Sequence, residues 1–357
     1  MENSESKHYR IVGLPGECIG PEVYASARRV LQVLAGKYEF SYELDEQLIG
    51  GAAVDATGVP LPQETIDACL SADAALLGAV GGPKWDHHPA EQRPELGLLQ
   101  IRSALNLFCN LRPVVMHPAL LKYSPLKPER LASVDLMIVR ELTSGSYFGK
   151  KWRDDNQAED VCRYTREEIA RVTRAAGHIA MGRERRITLV DKANVLETSR
   201  LWRVVAKQVI DNEFPQIDLE FVYVDAAAMH LLTRPGDFDV MLTENMFGDI
   251  LSDEASMLSG SLGLLPSASI NGEQFGMYEP IHGSAPDIAG QGIANPYAML
   301  LSMAMMLRHS LDNEEAAAGL EDCIYGCWED SLLTRDLDPD GLGTEEITDA
   351  VCERLVR

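Results

Sequence analysis

Asp249 and Asp253 stand four residues apart in the stretch Asn245-Met246-Phe247-Gly248-Asp249-Ile250-Leu251-Ser252-Asp253-Glu254. If that stretch is helical, the spacing projects both carboxylates from one face, about 5–6 Å apart at Cβ. Ile250, Leu251, Ala255, Met257 and Leu258 are the core side chains such a helix requires. Two acids on one face repel unless something positive sits between them. A hard divalent cation, Mg²⁺ or Mn²⁺, suits the place, because it takes oxygen ligands and leaves positions open for water or substrate. The ordinary fate of such a pair is a solvated acidic face, so the pair must be weighed with its company along the chain.

Three arginines keep that company. Arg102, Arg112 and Arg140 sit at the edges of apolar stretches (Leu98-Leu99-Gln100-Ile101-Arg102, Asn110-Leu111-Arg112-Pro113, Ile138-Val139-Arg140). Taken singly each reads as a surface ion pair, while together their rigid forks could hold a dicarboxylate. Tyr147 is bracketed by Gly145 and Gly149, which let the backbone approach a ligand closely. It could donate a proton, although a packed tyrosine with a satisfied hydroxyl is the default. Lys192 directly follows the apolar run Ile187-Thr188-Leu189-Val190, and a lysine at a strand's carboxyl end could act as a base. Asp225 reads as the end of another strand, Val222-Tyr223-Val224-Asp225, and as a third oxygen ligand beside Asp249 and Asp253. The small-residue segment from Glu279 to Gly290 reads as a functional loop. Within it His282 alone would be a structural histidine, and Asp287 either a helix N-cap or an acid for a ribose diol.

The elements that position these side chains alternate in type. Tyr9 to Leu14 reads as a first strand, a turn follows through Pro15–Pro21, and a helix runs from Pro21 to Leu34 with proline in its first turn. Thr65–Leu70 reads as helix and Ala74–Gly78 as a buried strand, followed by the turn Gly81-Gly82-Pro83-Lys84-Trp85. Asn110–Val114, Asp135–Arg140, Ile187–Val190, Leu219–Val224 and Asp239–Leu242 read as extended; Thr165–Arg183, Ser199–Asn212 and Pro296–Leu311 read as helical. The charged segment Lys150–Asp160 reads as a mobile loop or arm. The alternation argues for an α/β architecture. No G-x-G-x-x-G follows the first strand, so a Rossmann cofactor site is unsupported.

The totals bound the function classes. A chain of 357 residues exceeds one ordinary core and predicts two domains. A formal charge of -23 argues against nucleic acid or an anionic membrane surface as the main partner. A small anionic substrate remains compatible, because a local arginine cluster or metal reverses the field. Seven cysteines form no CxxC pair or Cys/His spacing, which points to a reducing compartment. The polar, acidic start predicts neither a secretory signal nor a transit peptide, and no run of about 18 apolar residues predicts a membrane span.

Six blocks, in order, carry a family resemblance: Gly81-Gly82-Pro83-Lys84-Trp85-Asp86, Asn110-Leu111-Arg112-Pro113, Tyr147-Phe148-Gly149, Asp191-Lys192-Ala193-Asn194-Val195-Leu196, Phe247 to Glu254, and Gly283-Ser284-Ala285-Pro286-Asp287-Ile288-Ala289-Gly290. The chain resembles the β-decarboxylating dehydrogenases from the turn at Gly16 to Leu311. The resemblance implies the two-domain, non-Rossmann α/β fold of the isopropylmalate- and isocitrate-oxidising enzymes, with a mixed parallel and antiparallel sheet. Residues 1–107 and 261–357 would form a discontinuous outer, cofactor-binding domain. Residues 108–260 would form the central domain, carrying the dimer contacts and the metal and substrate residues.

The same resemblance implies an oxidative decarboxylation of a 2-hydroxy dicarboxylate, 3-isopropylmalate, with NAD and Mg²⁺ or Mn²⁺, in leucine biosynthesis. Asp225, Asp249 and Asp253 would hold the metal, Lys192 would be the base and Tyr147 the acid. Arg102, Arg112, Arg140 and Asp225 would bind the substrate's polar groups, and Glu95, Leu98, Leu99 and Val195 would match an isopropyl-binding pattern. His282, Gly283, Ser284, Ala285, Asp287 and Asn295 would bind the cofactor, the acidic Asp287 favouring NAD over NADP. The enzyme would be a cytoplasmic homodimer whose active sites are shared, Lys192 and Asp225 reaching across. Departures from the family pattern are Glu17-Cys18 in the first turn, where Cys18 would be strained if a glycine conformation is needed, Glu244 before Asn245, Ser144 and Ser146 before Tyr147, and the arm at 150–160. They leave two alternatives: a relative acting on isocitrate, homoisocitrate, tartrate or an isopropylmalate analogue of specialised metabolism, and a non-catalytic regulatory relative.

Overall fold

The computed structural model describes residues 7–357; the polar start at 1–6 lies outside the described residues. In chain order the strands are β1 (His8–Gly16), β2 (Ser41–Glu46), β3 (Ala74–Ala79), β4 (Cys109–Val115), β5 (Asp135–Glu141), β6 (Lys151–Arg153), β7 (Ala158–Asp160), β8 (Arg186–Asp191), β9 (Asp218–Tyr223), β10 (Val240–Thr243), β11 (Pro266–Ile270) and β12 (Gly276–Pro280). The helices are α1 (Gly20–Lys37), α2 (Gly50–Thr57), α3 (Gln63–Leu70), α4 (Pro94–Ala104), α5 (Arg166–Met181), α6 (Glu197–Glu213), α7 (Val224–Thr233), α8 (Asn245–Ser256), α9 (Tyr297–His309), α10 (Glu314–Glu329) and α11 (Thr344–Val356).

The described residues up to Leu105, with Ser261–Arg357, form one compact unit. Its strands lie in the order β2-β1-β3-β12-β11. The first four are parallel and β11 runs antiparallel to β12. β3, Ala-Ala-Leu-Leu-Gly-Ala, is buried at every position, the pattern of a strand covered on both faces. From Tyr297 to Leu307 α9 is buried on all sides, so its Leu, Met and Ala residues are core rather than ligands. The chain leaves β1 through Glu17-Cys18-Ile19, not through a Rossmann glycine turn, and Cys18 there adopts φ +57.

Asn106–Gly260 forms the second compact unit, with strand order β4-β5-β10-β8-β9. Here β5, β10, β8 and β9 are parallel and β4 is antiparallel to β5. The sheet is thus mixed within each unit, as expected. Ile138, Val139, Leu189 and Leu242 are fully buried along the central strands. α5 starts at a capping box: Thr165 accepts from the Glu168 amide and Glu168 accepts from the Thr165 amide.

Several expectations need correction. Residues 150–160 are not a simple loop; β6 and β7 pair antiparallel as an exposed hairpin. β9 stops at Tyr223, so Asp225 lies in the first turn of α7 and not at a strand end. No helix follows Asp287 directly, so it is not an N-cap. On α8, Leu251, Ala255 and the following Leu258 are buried, but Ile250 and Met257 are 60% and 42% exposed.

Candidate active site

α8 supplies the centre of the site. The Glu244 carboxylate accepts from the Phe247 amide at 2.8 Å and caps the helix. One turn later Asp249 receives Arg140 Nη1 at 2.7 Å and the Tyr147 hydroxyl at 2.8 Å. Arg112 stands 3.7 Å from Asp249 and 3.6 Å from Asp253. Two buried guanidinium groups therefore supply the positive charge that the acid pair demands.

The arginines are far from ordinary surface pairs. Arg102, Arg112 and Arg140 are 7%, 6% and 1% exposed. Arg112 is oriented by Asn110 Oδ1, 2.7 Å from Nε, and by the Ser252 hydroxyl at 2.5 Å. Arg140 donates to the Asn245 carbonyl at 2.8 Å and from Nη2 to Asn245 Oδ1 at 2.8 Å. Its stem passes under α8 only because residue 248 is glycine; a Cβ there would lie 2.7 Å from Arg140 Cγ and 2.3 Å from Thr243 Oγ1.

Electrostatics sort the titratable groups. Burial, with the Asp249 charge beside it, pushes the Tyr147 hydroxyl up to about 12, so at neutral pH it keeps its proton. Burial also raises the Asp253 carboxyl, with Arg112 opposing and Asp249 reinforcing. Asp249 and Asp253 remain 35% and 62% exposed at their side chains, so both can reach a ligand.

Lys192, just past β8, is joined to Asp225 on α7 by a short ion pair. That hydrogen bond holds the Asp225 carboxyl below its usual range. Val195, three residues on, is exposed. Among the described residues no group of three or more His, Cys, Asp or Glu side chains is placed to hold a metal ion. Asp225 is thus not gathered with Asp249 and Asp253 within one chain.

In the other unit α4 carries Glu95, Leu98, Leu99 and Arg102. Glu95 is exposed, and Leu98 and Leu99 are half-buried. Arg102 Nη2 donates to Glu279 Oε1 at 2.6 Å, and Arg102 Nε is buried without a partner. In the loop after β12, His282 Nδ1 donates to the Gly283 carbonyl at 2.9 Å while Nε2 is enclosed without a partner. Burial lowers the His282 pKa, which favours the neutral ring. Gly283 is open, Ser284 is buried, Ala285 has φ +41 and Asp287 is exposed. The Asn295 amide is used at both ends: Nδ2 donates to Asp336 at 3.1 Å and Oδ1 accepts from the Tyr297 amide at 3.0 Å.

Sequence reasoning missed Asn110, Ser252, Asn245, Tyr164, Glu279 and Asp336. Asn110 and Asn245 carried a signal, since each adjoins a residue already singled out. Glu279 opens the segment read as a functional loop, whereas Tyr164 and Asp336 act on partners far away in sequence and carried none.

The capped helix with its two carboxylates, Tyr147 and two buried arginines stands on a mixed α/β fold without a Rossmann turn, and both the sequence and the fold have known relatives. The isocitrate/isopropylmalate dehydrogenase family model covers residues 10–351, and the chain belongs to that family. More particularly, the chain is 54% identical over 334 residues to a 3-isopropylmalate dehydrogenase of Bacillus subtilis (strain 168), spanning 92% of this chain and 91% of that one. It is 50% identical over 353 residues to the enzyme of the same name from Heyndrickxia coagulans, 97% and 96% of the two chains. Among solved structures, the isocitrate dehydrogenase of Methylococcus capsulatus superposes with a TM-score of 0.87 at 34% identity, covering 98% of this chain and 100% of that one.

Proposed function

We propose that this chain is an NAD-dependent 3-isopropylmalate dehydrogenase. It converts (2R,3S)-3-isopropylmalate to 4-methyl-2-oxopentanoate and CO₂ in the cytoplasm, as a step of leucine biosynthesis. The observation that carries the reading is the cluster around Asp249, where Arg140, Arg112 and Tyr147 meet two carboxylates of one helix face. About half-identity to 3-isopropylmalate dehydrogenases over nearly the whole chain selects the substrate.

The residues fit the groups that the reading requires. The half-buried Asp249 and the exposed Asp253 are oxygen donors on one face, the set a hard cation prefers. The enclosed, unpartnered His282 Nε2 beside the open Gly283 suits a cofactor-binding loop. Mg²⁺ or Mn²⁺, held by Asp249 and Asp253, would supply Lewis acidity, and NAD, held by the loop from His282 to Asp287, would supply the hydride acceptor. Arg112 and Arg140 hold a substrate carboxylate by exchanging the contacts they now make with the acids of α8, and Arg102, whose Nε is enclosed without a partner, is assigned to the substrate as well. Lys192 removes the hydroxyl proton, and Tyr147 returns a proton to the carbon that has lost CO₂. Leu98, Leu99 and Val195 cover the isopropyl group.

A homodimer follows from the same reading. Ile250 on α8 and Met257 just past its end, with Met229 and Leu232 on α7, expose large apolar side chains on or beside the elements that carry Asp225, Asp249 and Asp253. A second copy would cover them and bring Lys192 and Asp225 to the site of its partner. Among the described residues no helix is long and apolar enough to cross a membrane.

The test is NADH formation with isopropylmalate, isocitrate, homoisocitrate and tartrate, each with and without Mg²⁺, and with NADP⁺ in place of NAD⁺. Metal-dependent NADH formation fastest with isopropylmalate is expected, and Lys192→Ala should abolish it while the thermal transition is kept. Preference for another diacid, or no turnover with any, would overturn the assignment.

A further inference from the structure

Tyr164 and Glu244 touch neither acid of α8 nor any of the three arginines by hydrogen bond, yet both are buried at the centre of the same unit. The Tyr164 hydroxyl donates to Glu244 Oε2 at 2.8 Å and accepts from the Asn245 amide at 3.0 Å. The second Glu244 oxygen caps α8 at Phe247. Trp202 of α6 buttresses the Tyr164 ring edge-on, 5.4 Å between centroids. The hydroxyl is therefore fixed from both sides at the first residue of α8.

The other end of this arrangement is the turn Gly145–Tyr147. Gly145 adopts φ +76, and a Cβ there would lie 2.1 Å from the Tyr164 hydroxyl, so the turn rests directly against that oxygen. Asn245 Nδ2 donates to the Ser144 carbonyl at 3.1 Å, and the Gly145 amide donates to the Arg163 carbonyl at 3.1 Å. The turn that carries Tyr147 and the helix that carries Asp249 are thereby joined at one point. From there the Tyr147 hydroxyl reaches Asp249 Oδ2 at 2.8 Å.

We propose that Tyr164 and Glu244 are positioning residues for Tyr147, setting the Gly145–Tyr147 turn against the start of α8 so that the tyrosine hydroxyl meets the reacting carbon. The proposal rests on the reading of Tyr147 as proton donor. Small displacements at a reacting centre cost rate steeply, of order a hundredfold for about 1 Å. Removing the Tyr164 hydroxyl leaves Glu244 Oε2 and the Asn245 amide without their shared partner, and the turn loses its stop.

The experiment is a double-mutant cycle on NADH formation from isopropylmalate with Mg²⁺. Tyr164→Phe is expected to lower kcat about 10- to 100-fold with KM for the diacid changed by less than about threefold, and to bring out a solvent deuterium isotope effect on kcat. In a Tyr147→Phe background the same change should lower kcat less than about threefold, because the group being positioned is already gone. Glu244→Gln, which keeps an acceptor for the Phe247 amide, should retain more activity than Glu244→Leu. A Tyr164→Phe enzyme with parental kcat, or an equal loss in both backgrounds, overturns the proposal. Should Tyr164→Phe fail to fold, the Glu244 pair run in the two backgrounds decides by the same criterion. If the parent enzyme itself makes no NADH with any diacid, the functional reading falls instead.

Discussion

Each unit holds a carboxylate a few residues past the carboxyl end of a strand, Glu17 after β1 and Asp249 after β10, but with different partners. In the first unit Glu17 is 7% exposed and its oxygens take backbone amides only: Gly81 at 2.6 Å, Gly51 at 2.9 Å and Ala52 at 3.3 Å. In the second, Asp249 takes a guanidinium and a phenol. Backbone donors cannot leave without unfolding the turn that carries them, so Glu17 ties three segments together. Side-chain donors can swing away, so Asp249 can exchange Arg140 and Tyr147 for a ligand while those groups turn to substrate. The contrast separates a frame from a site by the kind of partner, before any ligand is considered.

The strongest way to break this contrast is Arg140→Ala. It strands the Asn245 side-chain oxygen and carbonyl and removes a buried charge from Asp249. We expect a loss of about 3–5 kcal/mol in stability together with a fall in kcat on the order of a thousandfold. Denaturant unfolding and steady-state assays check both. A variant that keeps near-parental turnover would show the arginine to be frame, not site.

The Arg102–Glu279 pair sharpens the comparison inside the first unit, because it is a buried side-chain ion pair with a donor left over. Arg102→Ala should cost about 3 kcal/mol by leaving Glu279 buried and unpaired. The double change Arg102→Met with Glu279→Leu should return stability to within about 1 kcal/mol of the parent, yet leave the enzyme unable to saturate with the diacid. Recovery of activity along with stability would reduce the pair to packing.

Much of this was legible before any coordinates, and the gaps have physical causes. β3 and β10 announce themselves as short apolar runs and are buried throughout. α8 was readable because its acids and its buried residues share a helical period. Ile250 and Met257 were misassigned to the core because periodicity reports that a face is apolar and not whether its own chain covers it. The stretch Leu219–Val224, apolar but for Glu220, contains no stop signal, so the sequence does not mark where β9 ends and α7 begins. The Tyr164–Glu244 contact joins residues 80 apart, and no local pattern encodes it.

Glu141 tests whether the contrast belongs to the units or to the partners. It lies in the second unit next to Arg140, is fully buried, and is held by the Thr143 and Ser144 amides at 3.0 Å each, like Glu17. Burial lifts its carboxyl from 4.5 to about 7, against those amides and the nearby Arg171. The folded protein therefore binds this proton more tightly than the unfolded chain. Its stabilising effect is complete below about pH 4.5 and is lost as pH rises through about 7. Between pH 5 and 8 the parent should lose on the order of 2 kcal/mol more than Glu141→Gln, read as the difference in their thermal transitions. Parallel pH dependences would show that the carboxylate is charged throughout and that its amide partners suffice.

Cys18 offers the smallest effect and the finest distinction. It holds φ +57 one residue after the amide-bound Glu17, a conformation that costs a residue with a Cβ roughly 1 kcal/mol and glycine almost nothing. Its thiol leans on the Gly81 carbonyl at 3.7 Å, a weak contact, and burial raises its pKa, with the Glu17 charge adding to the effect. Cys18→Gly removes the strain but enlarges the unfolded ensemble, which takes back about half of the gain. A net stabilisation below about 1 kcal/mol is expected, with kcat unchanged within about twofold if the turn belongs to the frame alone. A change in the Michaelis constant for NAD⁺ larger than that, at constant stability, would place this turn with the site and move the boundary between the two kinds of carboxylate to the other side of Glu17.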